Sequence, residues 1–122
     1  MRISLGWKKV NLEFGDGSLS CEIRPFLRDA SLKASPFFAD LQGELTRETL
    51  AQAQELGAEI FPDHVRNLGP LEDELGNELS LETVTRESKL GGLCLEILSQ
   101  LALYSTLTRE ERGNLKEPVG TP

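Results

Sequence analysis

His64 is the only histidine in the chain, so any serine or cysteine nucleophile activated by an imidazole would have to be built around it. Cys21 and Cys94 both belong to apolar faces, and Ser18 and Ser20 lack the strand-to-helix turn of a nucleophile elbow. Asp63, Glu72, Asp73 and Glu74 lie near His64 in sequence and could imitate a metal site. They do not supply the alternating oxygen ligands, central glycine and terminal glutamate of a calcium loop, and read instead as solvated turn acids. Paired carboxylates for acid–base work need a pocket that drives their two pKa values apart, and nothing in the sequence marks one. Gly15-Asp16-Gly17 is too short to cradle a phosphate, and Gly91-Gly92 fits neither a P-loop nor a dinucleotide fingerprint. Trp7 and the other aromatics are not interleaved with basic residues as a base-stacking platform requires. The expectation is a protein with no catalytic residue, no metal site and no cofactor.

Binding chemistry is better represented. Leu90, Leu93, Cys94, Ile97, Leu98, Leu101, Ala102 and Tyr104 recur at helical spacing and make an apolar surface wider than one core face needs. Either the excess completes the core, or it forms a groove for self-association or for a partner. On the second reading the binding residues are Leu93, Ile97, Leu98, Leu101 and Tyr104. The net charge of −7 is unevenly spread: residues 1–40 hold six basic and five acidic side chains, whereas residues 41–88 hold three and eleven. The acidity therefore belongs to the middle of the chain, around Glu72, Asp73 and Glu74. It serves either as a solvated face or as a guide for a basic partner segment. So acidic a chain lacks the clustered Lys and Arg that neutralise phosphates, which argues against a nucleic-acid partner.

The elements that must position these residues follow from pattern. The 122 residues, 39% hydrophobic and 27% charged, suit one globular core. No export signal opens the sequence, and the apolar run Leu90–Leu107 is broken by Glu96, Ser99, Gln100 and Ser105, so it predicts burial in protein rather than in a bilayer. Two cysteines without CxxC spacing predict reduced thiols and a cytoplasmic location.

Val10, Leu12 and Phe14, then Leu19, Cys21 and Ile23, alternate with polar residues on either side of Gly15-Asp16-Gly17-Ser18, the pattern of a β-hairpin. Turning it on Asp16-Gly17, with positive φ at both, pairs Phe14 with Leu19, Leu12 with Cys21 and Val10 with Ile23, and sets Lys9 opposite Arg24. Pro25 ends the second strand, and a connector or short helix reaches Asp40. Thr46 caps a helix over Arg47–Ile60, with a Leu45–Leu50 staple before it and Pro62 as its stop. A small hairpin or structured loop fits residues 64–81, and Ser80 is placed to cap a short helix over Leu81–Arg86. Gly91-Gly92 marks a break or a tight contact before the main helix over Leu93–Ser105. Thr108-Arg109-Glu110-Glu111 has capping-box spacing and predicts a separate last helix to Leu115. The expected fold is α+β: an N-terminal β-hairpin packed with a small helical bundle and a helical C-terminal half. One domain spans residues 1–115, with a flexible tail over 116–122.

The order of these features, VNLEFGDGSLSCEIRPF, then HVRNLGPLEDELGNELSLE, then a closing apolar helix running into LYSTLTREERGNL, resembles the tail assembly chaperones of long-tailed bacteriophages and prophages. That family often carries a Trp and a Gly where His64–Gly69 stands here. The resemblance implies a non-enzymatic role in the host cytoplasm. Such proteins keep the tape measure protein soluble, recruit tail tube protein around it, and are absent from the finished virion; an extended form often arises by ribosomal frameshift. The contrasting expectation is a phage-type structural or connector protein retained in the particle.

Overall fold

The alternating residues of the first third fold as read, into strands β1 (Lys8–Phe14) and β2 (Gly17–Ile23), paired antiparallel. The register is two residues from the expected one. Val10 faces Cys21, Leu12 faces Leu19 and Phe14 faces Gly17, so the turn is Gly15-Asp16. Gly15 has φ +61° and Asp16 a negative φ, the φ signature of a type II′ turn, which wants glycine first. A slip of two residues keeps every side chain on its own face, so the apolar pattern could not separate the two registers. Charge favours the observed one, because Lys9 now faces Glu22 instead of Arg24. The conformational demand therefore rests on Gly15 and not on Gly17. We expect Gly15→Val to lower the urea-unfolding free energy by about 1–2 kcal/mol and Gly17→Val to leave it within about 0.5 kcal/mol of the parent.

The structure, a computed structural model, describes residues 6–41 and 46–120, with side chains as far as Thr106. A 13-residue helix, α1 (Arg28–Asp40), occupies what the sequence marked only as a connector or short helix. It buries Ala30 and Ala34, four residues apart, and contains Pro36. Helix α2 (Arg47–His64) starts at Thr46, whose hydroxyl accepts the Thr49 amide as expected; Leu45, the expected staple partner, lies outside the described residues. Pro62 does not stop α2. It removes one amide donor near the helix end, yet the helix runs two residues beyond it to His64, which anchors that end from the side.

The chain then enters β3 (Val65–Gly69), which adds to β2 antiparallel and gives the sheet order β1-β2-β3. A register shift opposite Ser20–Glu22 accompanies Asn67 at φ +56°, a conformation asparagine tolerates better than most residues. Ser80 caps α3 (Leu81–Arg86) as expected, accepting the Thr83 amide. A single 3₁₀ turn, Ser88–Leu90, leads into α4 (Gly91–Gly120). No break occurs at Thr108: the backbone is helical through the positions assigned to a separate last helix and on through Lys116. A capping box satisfies orphan amides at a helix start, but inside a running helix those amides already bond to the preceding turn.

The fold is thus α+β, with an N-terminal hairpin and a helical C-terminal half. Val10, Leu12, Leu19, Cys21, Ile23 and Val65 line one face of the sheet, and α2 and α4 supply Ala53, Ile60, Phe61, Leu93, Ile97, Leu98 and Leu101 to the same core. Gly57 sets how closely the two helices cross. A Cβ there would stand 2.9 Å from Cys94 Sγ and 2.9 Å from the Phe61 ring, closer than packed atoms come. No described helix is long and apolar enough to cross a membrane.

Candidate functional site

The residues proposed from sequence as a partner surface divide sharply. Leu93, Ile97, Leu98 and Leu101 are each 0% exposed and belong to the core. The wide apolar face of α4 is consumed by packing because two partners, α2 on one side and the sheet on the other, cover it. A partner cannot reach those four side chains in the folded protein. Tyr104 is half-buried, with Lys8 Nζ 5.3 Å from the centre of its ring. Leu103, which the sequence did not single out, is exposed.

Glu72, Asp73 and Glu74 sit in a closed turn far from that face in sequence. Leu79 N–H donates to the Leu71 carbonyl and Asp73 N–H to that of Asn77, while Glu72 and Glu78 form an isolated bridge. The Asp73 carboxylate accepts from the amides of Leu75 and Asn77, each at 2.9 Å, and from the Asn77 side chain. Those donors, the Asn77 amide first, hold its pKa below the usual carboxylate value. Asp73 therefore builds the turn, whereas Glu72 and Glu74 project into solvent.

His64 is buried and fully engaged. The Leu27 amide donates to Nε2 at 2.9 Å, and an amide can only donate, so Nε2 is bare and the proton resides on Nδ1. Nδ1–H in turn donates to the Ile60 carbonyl at 2.7 Å. Phe26 meets the ring edge-on, with centroids 5.9 Å apart. Burial, and then Arg24, lower the pKa of the imidazole, against the opposing pull of the Ile60 carbonyl and Asp63. Neither nitrogen is free to act on a substrate. Its work is mechanical: α1 has no side-chain N-cap of its own, and His64 takes up the Leu27 amide instead. The neighbouring Phe26 amide donates to Ser105 Oγ of α4 at 2.8 Å.

Cys21 and Cys94 are buried free thiols, pushed by burial up to about 11 and about 12. At neutral pH both are protonated, and Cys94 donates to the Ala53 carbonyl. Among the described residues no three His, Cys, Asp or Glu side chains gather as a metal ion would require.

A concave surface lies elsewhere, between α1 and the exposed side of α4. It is a groove of 420 Å³ in which Phe26, Phe38 and Ala102 alternate with the hydroxyl groups of Ser31, Ser35 and Ser105, and whose rim includes Ala39 and Thr106. On α1 itself Leu32 is 67% exposed, and Leu27 is also exposed. The adjacent pair Phe37-Phe38, packed edge to face at 5.2 Å, is only partly covered. That aromatic pair is the signal in the sequence that could have pointed to α1. No family model matches the chain, and neither the curated proteins nor the solved structures searched give a match.

Proposed function

We infer that the chain is a non-enzymatic tail assembly chaperone, which holds a tape measure protein in soluble form and brings tail tube subunits to it. Support comes from the order of sequence features and from the kind of site the fold offers. The observation that carries the binding role is the groove between α1 and α4. It is open, lined by apolar and polar groups in about equal measure, with Phe26, Phe38 and Ala102 beside Ser31, Ser35 and Ser105, and bounded by a helix that keeps Leu32 exposed, while both ring nitrogens of His64 are engaged in the core. An amphipathic helix of a long client can lay its apolar face in such a groove, with anchors three and four residues apart. Exposed Glu72 and Glu74 favour a client with basic flanks and act on its rate of association more than on its final affinity.

Ala39 and Thr106 line the groove and are exposed, so glutamates placed there obstruct it without entering the core. The test is co-expression with a tape measure protein. The parent should keep the client in the soluble fraction, and Ala39→Glu/Thr106→Glu, still folded by circular dichroism, should lose most of that effect. A parent that leaves the client insoluble, or a chain that copurifies stoichiometrically with finished virions, would replace this reading with that of a structural component.

A further inference from the structure

The outer edge of β1, which no described strand covers, is complementary to itself. In a two-residue hairpin the residues flanking the turn form a hydrogen-bonded pair, so Phe14–Gly17 sets the phase, and Leu12, Val10 and Lys8 direct their backbone groups toward β2. Lys9, Asn11 and Glu13 therefore present their N–H and C=O groups outward. β1 lies at the edge of the sheet, and among the described residues no other backbone group bonds to it. The side chains of Lys9, Asn11 and Glu13 are all exposed on the face opposite the core.

We propose that two copies of the chain pair antiparallel through β1, about a two-fold axis at Asn11, to give a continuous six-stranded sheet. Asn11 is the middle residue of the seven-residue strand, so this register overlaps β1 along its whole length. It is also a register in which outward backbone groups meet outward backbone groups, making about six new hydrogen bonds. Lys9 then faces Glu13 of the second copy, and Glu13 faces its Lys9. On the core side Val10 faces Leu12. The charge row already built across the subunit shows why this partner fits. Arg66 pairs with Glu22 at 3.3 Å, Glu22 lies opposite Lys9, and the second copy's Glu13 continues the alternation of sign. Edge strands that avoid association commonly carry charges that repel a second copy; here antiparallel pairing matches them.

The contact is small, so the dimer is expected to be weak and best seen by sedimentation equilibrium at up to about 1 mM chain. Two single variants test the register. Glu13→Lys and Lys9→Glu each place like charges opposite one another at both ends of the paired strands, and each should raise the dimer dissociation constant about tenfold or more. Mixed together they should form a heterodimer, since lysine then meets glutamate at every such position. Asn11→Pro provides a second route. Its amide points away from β2, so the monomer keeps its ladder while the edge loses its central donor. Dimerisation of the parent, its loss in all three variants and its recovery on mixing would establish the interface. A parent monomeric throughout the concentration range, or folded variants that dimerise as the parent does, would overturn it.

Discussion

Leu98→Asp should leave the protein largely unfolded at neutral pH. Leu98 is fully buried in the cluster shared by the sheet, α2 and α4, and the substitution removes its apolar contacts while placing a carboxylate where no basic partner is described. Truncation of a buried leucine to alanine alone costs about 2–5 kcal/mol. Adding an unpaired charge brings the loss to about 5 kcal/mol or more, which is comparable to the whole stability of many small domains. Far-UV circular dichroism and urea titration will report it, with Leu98→Ala expected to remain folded and less stable. Leu103→Asp, at an exposed site five residues along the same helix, should fall within about 0.5 kcal/mol of the parent. If Leu98→Asp melted with the parent, the burial of α4 would be wrong, and its apolar face would again be available to a partner.

His64→Ala is expected to cost about 2–4 kcal/mol, because it leaves the Leu27 amide without its acceptor and opens a cavity beside Phe26. The same residue makes stability depend on pH in a defined direction. Burial disfavours the imidazolium first of all, and a proton on Nε2 would also occupy the position toward which the Leu27 N–H points, so the folded state resists it and its pKa lies below the ordinary 6.5. The unfolded chain binds that proton more readily. The contribution of His64 is therefore complete above about pH 6.5, declines as pH falls, and stops declining once the folded-state pKa has been passed. The slope cannot exceed about 1.4 kcal/mol per pH unit for a single proton. Urea titrations of the parent and His64→Gln between pH 8 and pH 5 should show the gap between them narrowing toward acid. A constant gap would mean that burial and the Leu27 bond do not hold the imidazole neutral.

Much of the fold was legible because its signals are local. The faces of the hairpin, the caps at Thr46 and Ser80, and the apolar stripe of α2 each depend on residues a few positions apart. The register was not legible, since a slip of two leaves the faces unchanged and both Gly15-Asp16 and Asp16-Gly17 make competent turns. α1 escaped because it buries little more than Ala30 and Ala34, so its periodicity is faint, and its start is secured by groups 37 and 79 residues away in sequence. The site was harder still. The apolar width of α4 is real, but whether such a face meets solvent or other protein depends on how many elements converge on it. Here α2 and the sheet both do, while Leu32 on the quieter helix beside it and Leu103 on the outer side of α4 stay exposed.

The arrangement of the core also sets when the chain can fold as it is synthesised. The hairpin is complete by Ile23, yet the residues that cover its apolar face, Leu93 to Leu101, lie far downstream in α4. At about 5–20 residues per second, that interval lasts several seconds, during which Leu12, Cys21 and Ile23 have no native cover from α4. The third strand waits as well, because Val65 reaches Ile23 only after α1 and α2 have been made. Translation therefore delivers the cover last, and cooperative folding of this chain belongs to the moment after α4 emerges rather than to any earlier stage of its synthesis.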